Sequence, residues 1–129
     1  MSVETEPRGT LTIRTLAMPA DTNPAGDIFG GWVMSQMDIA GAIAAVEEAK
    51  GRVATVAVEA MSFIAPVKVG DVLCVYTRTE RVGTTSVTIE VEAWVRRERI
   101  SERVQVTHGR FVYVALGADG QKREVRAPE

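Results

Sequence analysis

Residues 31–49, GWVMSQMDIAGAIAAVEEA, decide the architecture. The run contains no proline and is rich in Ala and Met, so it predicts a helix of roughly 28 Å at a rise of about 1.5 Å per residue. No other stretch of the chain makes a convincing helix. At about 100° per residue, Val33, Met37, Ala40 and Ala44 share one side, beside a seam of Met34, Gly41 and Ala45. Trp32, Ile39 and Ile43 lie on the other side, so the helix is apolar nearly all round and implies burial on several sides. Gly41 costs about 1 kcal/mol against alanine inside a helix, which points to something packed close against the backbone there.

Working outward, the preceding PADTNPAGDIFGG at 19–31 carries Pro19, Pro24, Gly26, Gly30 and Gly31, residues that break regular structure and shape a tight loop. LTIRTLAM at 11–18 reads as a strand before it. Beyond the helix, strand patterns cover Val53 to Ile64, Val72 to Arg81, Ser86 to Arg96 and Val104 to Ala115. In the third of these, Val87, Ile89, Val91, Ala93 and Val95 alternate with Thr88, Glu90, Glu92, Trp94 and Arg96, which predicts a wet face. APVKVGD at 65–71 reads as a turn, and the short Val82 to Thr85 link predicts a hairpin with antiparallel strands. A strand, one long helix and four strands leave few crossover units, so the pattern predicts an α+β fold rather than a doubly wound parallel one.

At 129 residues, with 46% apolar and 25% charged content and 5 prolines, the chain is sized for one compact domain, not for disorder. We place that domain at 11–116, with a flexible segment at 1–10 and a polar tail at 117–129, in which QKREVRAPE at 121–129 is expected to be mobile. The net charge of -2, from 15 Lys+Arg against 17 Asp+Glu, gives no broad footprint for nucleic acid. Cys74 stands alone, so neither an intramolecular disulfide nor a thiolate metal cluster can form. MSVETEPRGT lacks the apolar core of a signal peptide and no window approaches eighteen apolar residues, which predicts a cytoplasmic protein without stable membrane insertion.

Asp38 lies two turns after Gly30-Gly31, among Met34, Gly41, Ala42 and Ala45 on the helical surface, an apolar setting for a carboxylate. The Gly30 and Gly31 amides open the helix without an intrahelical acceptor, so they can polarise a carbonyl oxygen. Asn23 offers an amide donor and acceptor, with an Asx turn as its commoner use, and Asp27 suits turn or cap geometry. His108 and Cys74 carry no chemistry on this reading, since a lone histidine makes neither a metal cluster nor a triad.

The run DTNPAGDIFGGWVMSQMDIAGAIAA, then GRVATVAVEAMSFIAPVKVGDVLCVY and VEAWVRR, resembles the YciA-like acyl-CoA thioesterases of the hotdog superfamily across about residues 11 to 116. The resemblance implies a curved five-stranded antiparallel sheet wrapped around one long central helix. It also implies a homodimer at minimum, assembled further into tetramers or into hexamers as trimers of dimers, with composite sites at the dimer interface. The implied reaction is hydrolysis of acyl-coenzyme A to a carboxylic acid and free coenzyme A, with no cofactor beyond the coenzyme A of the substrate. The resemblance implies Asp38 as general base, Gly31 N–H as the donor to the thioester oxygen, Gly30 shaping the approach, and Asn23 holding water or the carbonyl. Our expectation is that the helix delivers Asp38 and its own start to opposite sides of one thioester carbonyl. Val58, Glu59 and Met61 of the second strand are expected to contribute from the other subunit, Glu59 more as a structural acid than a catalytic one. Phe63, Pro66 and Val67 are expected to line or support the acyl region, and Met34, Met37 and Met61 suit either acyl contact or core. For coenzyme A phosphates, the hairpin supplies Arg81, Gly83, Thr84 and Ser86, with Arg78, Arg96 and Arg97 near in sequence. Where relatives often carry a basic residue, this chain has Thr84, and His108-Gly109 is a second departure. Two other readings compete: a noncatalytic acyl-CoA-binding module, and a hotdog dehydratase, which the absence of a histidine near the helix disfavours.

Overall fold

A computed structural model describes residues 6–97 and 103–126. Of the segment expected to be flexible at 1–10, residues 1–5 fall outside the described residues, as do the last three of the chain, whereas Arg8 is bonded to Glu92 and Thr10 opens the first strand. In chain order the elements are β1 (Thr10–Leu16), a 3₁₀ turn (Pro19–Asp21), α1 (Gly30–Ala49), β2 (Val53–Phe63), β3 (Val72–Val82), β4 (Ser86–Arg96) and β5 (Arg103–Ala115). All five strands join one antiparallel sheet in the order β1-β3-β4-β5-β2, and α1 lies across it in contact with every strand. The hotdog expectation holds, with element ends within two residues of those expected.

The core lies between α1 and the concave face of the sheet. Met37 and Ala40 have no exposure and meet the inward row of β4, where Val87, Ile89, Val91 and Val95 are equally sealed. Small helical residues let the sheet approach. At Gly41 a Cβ would stand 2.2 Å from the Tyr113 hydroxyl of β5, so the close neighbour predicted from sequence is this tyrosine.

Two expectations need correction. The outward face of β4 is not uniformly wet, because Glu92 and Trp94 are 7% and 3% exposed. Arg8 folds over them, its backbone N–H and Nε reaching the Glu92 carboxylate at 3.2 and 3.1 Å, while Trp94 Nε1 donates to Glu92 at 2.9 Å. A carboxylate with three donors tolerates burial that a lone one would not. The expected mobile tail instead turns back over 117–126: Val125 N–H donates to the Thr84 carbonyl at 2.8 Å, and Arg123 Nη2 to the Ala49 carbonyl at 2.7 Å. That bond serves a helix-terminal carbonyl that α1 leaves open.

β2 is an edge strand and is irregular. Its pairing with β5 slips between Thr55 and Ala57 and again between Glu59 and Ser62, and Ala60 takes a φ of 54°. Val56 on this edge is 56% exposed and Ile39 on α1 is 50% exposed. The helix that reads as apolar all round is thus covered by its own sheet on one side only.

Candidate active site

α1 begins at Gly30 behind Phe29, an N-cap residue with no side-chain cap bond, and its first turn holds no acidic residue. The Gly30 and Gly31 amides consequently lack the acceptor that Ser, Asp or Asn would give a helix start. A Cβ on Gly31 would meet nothing within 4 Å, whereas at Gly30 it would stand 3.2 Å from the Phe63 ring. Beside these glycines lies an open hollow of about 670 Å³, walled by Met34, Val58, Ala60, Met61 and Phe63. Of the expected site residues, Gly30, Gly31, Val58 and Met61 are brought together here, with Phe63 as expected for an apolar wall.

Asp38 forms a second cluster further along α1. Thr55 Oγ1 of β2 donates to Asp38 Oδ1 at 2.7 Å. The Tyr113 hydroxyl lies 2.9 Å from the Asp38 carbonyl and 3.1 Å from Oδ1. Both donors converge on one carboxylate oxygen, and Oδ2 accepts from no described residue. Burial, then the Asp38 charge and its hydrogen bond, push the Tyr113 phenol far above the ordinary tyrosine range, so it remains a donor at neutral pH. Neither Thr55 nor Tyr113 stood out in the sequence. Gly41 was the trace Tyr113 left there; Thr55, one hydroxyl in an apolar strand, left none.

Asp38 and Gly31 are seven residues apart, roughly 10 Å along the axis, and Asp38 does not wall the hollow. α1 thus carries two separate features, the bare glycine start and the carboxylate held by two donors.

The remaining residues separate clearly. Asn23 Oδ1 accepts from the Ala25 and Asp27 amides at 2.9 and 3.1 Å, an Asx turn that holds the loop and leaves only its NH₂ for other work. Asp27 pairs with Lys68 at 2.8 Å. Glu59 faces Arg110 at 3.7 Å and does not wall the hollow. Pro66 gives its carbonyl to Arg97 and Val67 is core, so of the three acyl-region candidates only Phe63 lines the cavity. Met37 is core, whereas Met34 and Met61 border the hollow.

Arg81, Gly83, Thr84 and Ser86 sit around the β3–β4 turn, closed by Gly83 N–H to the Ser86 carbonyl at 2.8 Å. Ser86 pairs in register with Val114, and the Thr84 carbonyl accepts from the Val125 N–H, so the hairpin lies beside the folded-back segment that also reaches the last turn of α1 through Arg123. Arg78 is paired with Glu90, and Arg97 with Asp71. His108 is exposed and in register with Glu92 and Ser62, outside both clusters, and Cys74 is packed at 2% exposure.

The fold is an α+β hotdog whose one long helix carries an uncapped glycine start and a mid-helix carboxylate held by two donors. A family model described as "Thioesterase superfamily" matches residues 25–101, and the chain belongs to that superfamily. Within it the chain stands beside the YciA proteins. It is 58% identical to the acyl-CoA thioester hydrolase YciA of Escherichia coli K12 over 120 residues, 91% of either chain. The hexameric thioesterase y2039 from Yersinia pestis shares its fold with a TM-score of 0.88 at 53% identity, covering 95% of this chain and 99% of that one. HI0827, a hexameric broad-specificity acyl-coenzyme A thioesterase, gives a TM-score of 0.88 at 53% identity over 95% of this chain and 84% of its own.

Proposed function

We propose that this chain hydrolyses the thioester of acyl-coenzyme A in a composite site, where Asp38 of one protomer meets the Gly31 amide of a second copy. The observation that carries the reading is the Asp38 carboxylate, pinned through Oδ1 by Thr55 and Tyr113 with Oδ2 left over. Water held at that carboxylate attacks the carbonyl carbon as its proton passes to Asp38, and the thioester oxygen becomes an oxyanion. Gly31 N–H, at the positive end of α1, stabilises that charge. The intermediate collapses with cleavage of the C–S bond, and the departing sulfur takes the proton from Asp38, giving free coenzyme A, a carboxylic acid and the starting carboxylate. Thr55 and Tyr113 act as positioning residues, which fix the base before substrate arrives.

The roughly 10 Å along α1 between the glycine start and Asp38 supports the composite form. A two-fold partner docked on the β2 edge would run its own helix start towards Asp38, and the unpaired edge and the exposed Val56 and Ile39 suit such a contact. The relatives described as hexameric support a trimer of such dimers. The hairpin with Arg81, Gly83, Thr84 and Ser86 then serves the phosphates of coenzyme A, and the Asn23 amide holds water or carbonyl. Among the described residues no helix is long and apolar enough to cross a membrane, and we assign the enzyme to the cytosol.

The test is thiol release from acetyl, butyryl, octanoyl, palmitoyl and aromatic coenzyme A esters. Asp38→Asn lowers kcat by about 10²-fold or more while thioester binding persists. Flat, negligible rates for the parent across the panel would favour a binding module, and hydration of an enoyl thioester without thiol release would favour a dehydratase.

A further inference from the structure

The second irregularity of β2 lies beside the hollow. Glu59 pairs with Arg110 and Ser62 with His108, so Ala60 and Met61 together stand opposite the single residue Gly109. This is a bulge, and Ala60 takes the left-handed backbone, φ 54°, that makes it possible. Such a bulge re-aims the side chains that follow it. Gly109 shares the face of β5 that carries Phe111 and Tyr113, the face turned towards α1. A Cβ there would stand 3.2 Å from Met61 Cβ and 3.3 Å from Met61 Cγ. Met61 therefore rests in the space that a side chain at 109 would occupy, and from there it forms part of the hollow's wall beside the helix start.

We infer that Gly109 and Met61 together set the depth of the acyl hollow and so determine the acyl chain length this site accepts, an assignment that rests on the thioesterase reading above. Methionine is unbranched and flexible beyond Cβ, so its Cγ and thioether swing from a group at position 109 into the cavity, while Cβ, fixed to the backbone, asks the bulged strand to give by a few tenths of an ångström. Each acyl methylene held against apolar wall is worth about fourfold in affinity, so a shift of one or two methylenes is measurable. Gly109 acts through Met61 and is a positioning residue; Met61 and Phe63 supply the contact.

The experiment compares Gly109→Ala, Gly109→Val, Met61→Ala and the double variant Gly109→Ala/Met61→Ala with the parent. Each is assayed for kcat/KM on acetyl-, butyryl-, octanoyl- and palmitoyl-coenzyme A, and for calorimetric affinity towards the corresponding non-hydrolysable thioethers. Gly109→Ala and Gly109→Val move the preference to shorter chains, by about fourfold to tenfold in the long-to-short ratio, with valine the larger. Met61→Ala moves it the other way, and the double variant returns towards the parent profile. Length profiles that superimpose after scaling, or that shift in one direction for substitutions at both positions, overturn the inference. An inactive parent whose thioether affinities still shift as stated would overturn the hydrolase reading alone. A variant that merely unfolds lowers every substrate equally and is identified by its thermal transition, with the remaining variants deciding the outcome.

Discussion

The two ends of the candidate site on α1 are finished in opposite ways. At Gly30-Gly31 the donors are left bare: no capping side chain, no acidic neighbour in the first turn, and open space over Gly31. At Asp38 everything is held, with Thr55, Tyr113 and the gap at Gly41 combining to fix one carboxylate oxygen. On the proposed reading, the difference is what a carbonyl reaction asks of each partner. A donor meant for charge that develops only during reaction must have no resident acceptor, whereas a base must be in place beforehand.

The sharpest break in that comparison removes one donor and nothing else. Gly31 is the second residue of α1, so its N–H has no intrahelical acceptor to lose, its φ is not positive, and the space for a Cβ is clear. Gly31→Pro deletes the N–H and is expected to cost about 10²–10³-fold in kcat with little change in thermal stability. Mixing it with Asp38→Asn tests the composite site. If each site takes Asp38 from one copy and Gly31 from another, co-refolded mixtures of the two inactive variants recover about a quarter of parent activity, since half the dimers are mixed and each restores one site. No recovery would mean that the two residues serve one chain's site, and would overturn the composite reading.

Next in size is Gly41→Ala. Its Cβ would meet the Tyr113 hydroxyl at 2.2 Å, so tyrosine or helix must move. We expect a loss of about 1–3 kcal/mol in urea unfolding from overpacking. A fall of roughly tenfold in kcat should accompany it as the base loses a donor. Unchanged kcat in a folded variant would show that Tyr113 does not position Asp38. Thr55→Val, which keeps shape and removes the other donor, is expected to lower kcat by a few-fold with KM little changed, by the same logic.

How far these regions could be read from the chain differs between them. The long helix, the five strands and their order of appearance were legible because each is a local pattern: no proline over 31–49, alternation over 86–96, Gly and Pro between. The glycine start was legible for the same reason. The support of Asp38 was not, since Thr55 and Tyr113 lie 17 and 75 residues away and become neighbours only through the pairing of β2 with β5. Glu92 misled in the same manner. Its charge argued for water, and the cover comes from Arg8, 84 residues earlier. Conversely, the surplus apolar surface of α1 was plain in the sequence because a two-residue or three-residue spacing cannot hide it, and in one chain it stays exposed at Ile39, Ile43 and Val46.

The smallest expected effect concerns the tyrosine itself. In the folded protein Tyr113 holds its proton well above the usual tyrosine value, first through burial and then through the charge and hydrogen bond of Asp38. In the unfolded chain it ionises near pH 10. The folded state therefore binds the proton more tightly, so the contribution to stability is complete below about pH 10 and is lost as pH rises above it towards the folded value. Tyr113→Phe abolishes this dependence. It also removes a buried hydrogen bond worth about 1 kcal/mol, which should appear at every pH. Urea unfolding at pH 8, 10 and 11 separates the two: the parent loses stability from pH 10 to 11 more steeply than Tyr113→Phe, while the two differ by a constant below pH 9. Parallel curves throughout would show that the phenol titrates normally and that its contact with Asp38 carries little of the electrostatic coupling that the geometry at Oδ1 implies.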